Sequence, residues 1–183
     1  MEFDSEMCTS GGMNMLKYPD ELQEPVLKAA KMSLETGNVN YILIWLPKES
    51  ENSLKNLLEK TCCQRSSRMN RQKQAYDWYF ETVNRFYRSS RSPGHHMTQS
   101  PDLAGKLVLK INRAIECGNF EEIQDIIPVT HEADAKQQFQ HLIKMRDFPV
   151  NNIAAGRLYV SAFFDFNRYV HDLSSGSISR KDL

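Results

Sequence analysis

Cysteine is scarce in this chain: Cys8, Cys62, Cys63 and Cys117 are the only four among 183 residues. Neither a Cys-x-x-Cys pair nor a Cys/His zinc spacing occurs, so disulfides and structural zinc are excluded as the basis of the fold. The adjacent Cys62-Cys63 could bridge only through a strained ring and reads as two helix-end thiols, one of them buried. Charge of one sign is missing too. Lys plus Arg and Asp plus Glu stand at 23 each, so whole-molecule attraction to nucleic acid or an anionic membrane is not expected. No apolar run approaches the roughly 18 residues of a membrane span. Residues 1–15 carry Glu2, Asp4 and Glu6 where a signal peptide would be basic, and lack its apolar stretch. A cytoplasmic protein is expected. No Gly-rich phosphate loop and no His-Glu-x-x-His is present, and the scattered His131, His141 and His171 have no nucleophile context. The vicinal His95-His96 lies in a Pro/Gly/Ser-rich stretch and reads as solvent-exposed sequence.

What the sequence does have is a stretch that occurs twice. Leu34-Glu35-Thr36-Gly37-Asn38-Val39, running on to Leu46-Pro47, returns as Ile115-Glu116-Cys117-Gly118-Asn119-Phe120, running on to Ile127-Pro128. In both, an apolar residue and a Glu close a helical pattern and Gly supplies the left-handed residue that ends it. Asn then caps a short apolar segment that Pro stops. The chain reads as a tandem duplication.

A first helix is expected from near Pro25, with Val26, Ala29, Ala30, Ser33 and Leu34 on one face. Residues 39–46 would pass for a strand on propensity, but the second copy has Phe120, Ile123, Ile126 and Ile127 at helical spacing, so both segments are read as short helices. A third helix follows Ser50, its stripe Leu54, Leu57, Leu58 matched to Phe139, Leu142, Ile143. The fourth runs from about Met69 to Arg88, with Ala75, Tyr79, Thr82, Val83 and Phe86 on one side and Tyr76, Phe80 and Tyr87 widening the apolar face. Its counterpart runs from about Asn152 to Leu173, and Asn84-Arg85-Phe86 reappears there as Asn167-Arg168-Tyr169. The expected architecture is all-α: a helical bundle of two fused repeats, each a long helix, Gly-Asn turn, short helix, Pro and two helices, with an approximate internal two-fold. Residues 1–17 form a flexible arm, 18–173 one helical domain (repeats 18–88 and 102–173, linker 89–101) and 174–183 a disordered tail.

Glu24-Pro-Val-Leu-Lys-Ala-Ala30, Leu34-Glu-Thr-Gly-Asn-Val-Asn40 and Phe80-Glu-Thr-Val-Asn-Arg-Phe-Tyr-Arg88 resemble an uncharacterised prokaryotic helical family, a domain of unknown function, over roughly residues 18–173. The resemblance implies a set of His, Cys and carboxylate residues in a helical bundle, of metal or redox type. The family pattern opens with His-Cys-Asp-Thr, carries a His after its Phe-Glu-Thr, and has Glu-Phe-x-His near its end. Laid on this chain, those positions fall on Tyr18-Pro19, Tyr87 and Arg168, so three imidazoles and a thiol are replaced. Asp20, Glu35, Glu81 and Asp165 remain. Carboxylates alone could hold Mg²⁺ or Ca²⁺, but Arg168 stands one helical turn after Asp165 and is expected to pair with it. On that reading the ancestral site is degenerate and no cofactor is expected.

Two other constellations stand out. Glu35 and Glu116 could face each other across the two-fold, or each could serve its own turn through backbone donors. Arg65, Arg68, Arg71 and Lys73, followed by Arg85, Arg88 and Arg91, are interleaved with Tyr76, Trp78, Tyr79 and Tyr87. These form either a phosphate-tracking surface with stacking aromatics or a solvated face backed by core. Three functions follow. The first is a non-catalytic helical binding or interaction module, its cleft formed by Tyr18, Asp20, Glu35, Glu81, Tyr87, Asp165 and Arg168, its partner another protein or a second copy. The second is a metal-dependent or redox protein in which Tyr18 and Tyr87 replace the lost ligands. The third, less favoured, is RNA or phosphate binding through Arg65, Arg68, Arg71 and Lys73.

Overall fold

Proline at the second residue of the first helix costs no hydrogen bond, because the first-turn N–H groups have no intrahelical acceptor. In the computed structural model, which describes residues 24–64, 69–89 and 101–175, helix α1 spans Glu24–Thr36 with Pro25 in that place. Seven more α-helices follow among the described residues: α2 (Asn40–Leu43), α3 (Glu51–Cys63), α4 (Met69–Ser89), α5 (Pro101–Cys117), α6 (Glu121–Gln124), α7 (Glu132–Arg146) and α8 (Ile153–Ser174). Short 3₁₀ turns, Lys48–Ser50 and Val129–His131, lead into α3 and α7. No strand occurs among the described residues. The order helix, one-turn helix, 3₁₀ turn, helix, helix is the same in residues 24–89 and 101–174. The expected arm and most of the linker and tail lie outside the described residues; α4 runs on to Ser89, α5 starts at Pro101 and α8 takes in Ser174.

Both Gly-Asn turns form as glycine dictates, with φ of 72° at Gly37 and 67° at Gly118. After α5 the closure is a Schellman arrangement: the Asn119 N–H reaches the Ala114 carbonyl at 3.0 Å and the Gly118 N–H reaches Ile115 at 3.3 Å. After α1 a side chain does part of this work, Thr36 Oγ1 accepting from the Asn38 N–H at 3.2 Å. Each Asn then caps the next helix, Asn38 Oδ1 accepting from the Asn40 N–H at 3.0 Å and Asn119 Oδ1 from the Glu121 N–H at 3.1 Å. The short helices are shorter than the apolar segments that hold them. α2 stops at Leu43, and Trp45 and Leu46 continue through tight bonds to the carbonyls of Ile42 and Leu43. Pro47 keeps the helix from resuming, since it has no N–H to bond the Leu43 carbonyl four residues back.

One core gathers buried side chains from all eight helices, among them Val26 and Ala30 of α1, Ile42 of α2, Leu54 of α3, Tyr79 and Val83 of α4, Ile111 of α5, Ile123 of α6, Phe139 of α7 and Phe166 of α8. The stripes of α3 and α7 match differently from the sequence reading. The buried positions are Leu54, Leu58 and Thr61 in one and Ala135, Phe139 and Leu142 in the other. These correspond pair by pair when counted from Pro47 and Pro128, whereas Leu57 and Ile143 are half-buried. A small Ala and a polar Thr at core positions hid this register. Thr61 is compatible with burial because its hydroxyl donates to the Leu57 carbonyl at 2.8 Å.

Residues from the two halves interlock. Trp45 meets Phe163 and Phe164 edge-on, with ring centroids 5.5 and 6.1 Å apart. Arg157 of α8 donates to Glu51 Oε1 at 2.7 Å and to the Leu43 carbonyl at 3.3 Å. That guanidinium lowers the Glu51 carboxyl below its ordinary range. Asn40 Nδ2 and Asn38 Nδ2 donate to Asn151 Oδ1 at 2.9 and 3.4 Å.

Tyr79 lies wholly inside the core. Ser33 gives its proton to the Ala30 carbonyl at 2.7 Å. The Tyr79 phenol, 2.5 Å from Ser33 Oγ, is therefore the donor of that second bond. Burial pushes its pKa up to about 12. A folded value above the unfolded one, near 10, leaves stability intact below about pH 10. As pH rises from there toward 12 the protein should lose up to roughly 3 kcal/mol from this group. Urea midpoints measured across that range should fall more steeply for the parent than for Tyr79→Phe, and equal slopes would contradict the assignment.

Candidate functional site

A helix twenty-odd residues long that buries one side must present the other, and α4 presents basic residues around an aromatic. Tyr79, Phe80, Val83 and Tyr87 face the core. Turned away from them at helical spacing are the exposed Arg71, Gln74, Trp78, Glu81 and Arg85, while the exposed Lys73 stands on another side of the helix, seven residues before Phe80. Trp78 is 58 % exposed. Arg71 and Arg85 stand two turns before and after it, about 10 Å away each along the axis. Of the aromatics interleaved with the basic residues, Trp78 alone is open to solvent. Tyr79 and Tyr87 are buried, and Tyr76 is half-buried with its hydroxyl 3.4 Å from Gln72 Nε2. The reading of these aromatics as core holds for all but Trp78.

The candidate cleft residues fall in different places. Tyr18, Asp20, Arg65 and Arg68 lie outside the described residues. Tyr87 is buried, while Glu81 on the same helix is exposed on the outer face. Asp165 and Arg168 form the expected pair on the surface of α8, 2.5 Å apart with both side chains 59 % exposed. Glu35 is exposed and makes no hydrogen bond or ion pair among the described residues. Glu116 reaches across to α1 instead of its own turn, its Oε1 accepting from Lys28 Nζ at 2.9 Å. Among the described residues no three His, Cys, Asp or Glu side chains are grouped so as to hold a metal ion.

Sequence reasoning missed the groups that fasten these turns. Arg146 Nη1, at the end of α7, donates to the carbonyls of Ile115 and Glu116 at 2.9 and 3.2 Å, reinforcing the closure at the end of α5. No local pattern marks Arg146, since its partner lies on another helix. Asn112 was missed as well. It is 4 % exposed in α5, and neither side-chain amide atom has a partner among the described residues. Burying such groups unpaired costs about 1–3 kcal/mol. Asn112→Leu should therefore match or exceed the parent in a denaturant melt, by roughly 1 kcal/mol, and a clear loss would mean the amide is engaged.

A shallow groove of about 460 Å³ lies between α3 and the turn after α1, lined by Gly37, Val39, Lys55, Leu58, Glu59, Cys62 and Cys63. None of the described candidate cleft or basic residues chosen from sequence lines it. No helix of the described residues is long and apolar enough to cross a membrane.

Comparison with known proteins adds one match. No curated protein and no solved structure matches the chain significantly. A family model described as a family of unknown function, DUF6448, matches residues 23–169, which take in α1 to α7 and most of α8. The protein belongs to that family of unknown function.

Proposed function

We propose that the protein is a non-catalytic helical module that works by binding, and that the outer face of α4 is its recognition surface. The observation that carries this is Trp78, set open to water in mid-helix between two arginines. An indole there leaves more than half of its surface in water, and aromatic and Arg side chains are the groups that dominate recognition surfaces. The scatter of Glu35, Glu81, Tyr87 and Asp165 supports the same reading, with the ancestral ligand set degenerate. The two halves are taken as copies of one unit, which the recurring element order supports.

Trp78→Ala and a control on another exposed apolar side chain, Leu158→Ala (63 % exposed), separate this reading from simple stickiness. Both variants should melt like the parent. A partner recovered with the parent and the Leu158 variant but lost with the Trp78 variant is the expected result. Identical recoveries from all three would remove α4 as the surface.

Arg71 and Arg85 on the same face favour a second reading, binding of single-stranded RNA by stacking on Trp78 with phosphates held by these two arginines. Retention of RNA should then fall with salt and be lost in Arg71→Glu/Arg85→Glu. No retention even at low salt would end it.

A further inference from the structure

The groove beside α3 carries chemistry that the binding reading does not use. Cys62 and Cys63 are both free thiols, the first half-buried and the second exposed, and both line the one groove. They close the last turn of α3, whose next residue, Gln64, keeps helical geometry. Opposite them stand Gly37 and Val39 of the turn after α1. A Cβ built on Gly37 would meet nothing within 4 Å, so that wall leaves open space. On the rim, Lys55 and Glu59 are of opposite charge, which leaves sulfur to decide what is taken.

We propose that Cys62 and Cys63 form a dithiol site for a soft, thiophilic metal or metalloid ion. Bond lengths favour a bridging ion over a disulfide. A disulfide needs its sulfurs about 2.05 Å apart, which between adjacent residues forces a strained ring. Two metal–sulfur bonds of about 2.3 Å at a tetrahedral angle leave the sulfurs roughly 3.8 Å apart, a wider spacing that asks less of adjacent residues than a disulfide does. Thiolate pairs select copper(I), cadmium or trivalent arsenic over magnesium or calcium. With a divalent cation, two S–H bonds break, two metal–sulfur bonds form and two protons leave to solvent. With an aryl arsenic(III) oxide, two As–S bonds replace the As–O bonds and the oxygen departs as water with both thiol protons.

The test uses the full chain with Cys8 and Cys117 replaced by serine. Cadmium should bind once per chain with release of two protons and a near-ultraviolet sulfur-to-metal band. Phenylarsine oxide should give one adduct that consumes both thiols. Cys63→Ser, which alters an exposed side chain, and Cys62→Ser should each weaken cadmium by at least tenfold or so and abolish the two-thiol adduct, with helicity unchanged. Unaltered cadmium affinity in the Cys63 variant, an arsenical that consumes one thiol only, or conversion of the pair to a disulfide in air would each overturn the proposal.

Discussion

Gly156→Val should lower the melting temperature by roughly 5–10 °C, an estimate of about 2–4 °C per kcal/mol for a chain of this size. Gly156 is buried in the first turn of α8. A Cβ there would lie 2.5 Å from Ile44 Cγ2, 3.2 Å from Ile44 Cβ and 2.8 Å from Phe148 Cε2. Carbon pairs rest near 3.5–4.0 Å, so about an ångström must open. Ile44 gives way poorly because its branch is stiff at χ1. Alanine in place of an exposed helical glycine would gain up to about 1 kcal/mol. Overpacking costs about 1–3 kcal/mol, so Gly156→Ala should come out destabilised and valine worse. Ile44→Ala should relieve part of the cost, which a double-mutant cycle will show as coupling between the two positions. A plain rise in stability for Gly156→Ala would mean that α8 does not rest on Ile44.

Trp45→Ala is expected to cost about 3–5 kcal/mol, the usual range for deleting a large buried aromatic. Trp45 is 9 % exposed and holds the edges of Phe163 and Phe164, so its loss opens a cavity where α8 meets the first half. The remaining tryptophan, Trp78, is exposed, and emission of the folded variant should shift to that of a solvated indole. Far-ultraviolet ellipticity and tyrosine absorbance should still report one shared transition at the lower midpoint. Two separated transitions would mean that residues 24–89 and 101–174 hold their structure independently, and the proposal of one helical domain would fall.

The features legible in the sequence are those written locally. Gly37 and Gly118 announced their left-handed turns, Asn38 and Asn119 their caps, and Pro47 and Pro128 the ends of the short segments. The apolar spacing of α4 and α8 placed their bounds within a residue or so. Less could be read of the surface. The spacing of α4 put Tyr79 on its apolar side and left Trp78 off it, but reading Trp78 with the neighbouring aromatics as core did not follow that spacing. Packing against α1 agrees with the spacing, since Tyr79 finds Ser33 there. Long-range polar partners were invisible in sequence: Arg157 and Glu51, or Asn151 and Asn40, share no sequence neighbourhood. The carboxylates chosen by family resemblance shared a pattern in sequence, and Glu35, Glu81 and Asp165 stand exposed on three different helices, α1, α4 and α8.

The corner between α7 and α8 has a consequence for how the molecule comes apart. Arg146, on one side of it, grips the final carbonyls of α5. Asn151, on the other side, holds the loop that follows α1. A single short bend thus acts as a keystone for the endings of both leading helices. Prying it loose would unlatch the two together, so amide protons at Asn40 and Asn119 should become exchangeable in concert rather than one after the other.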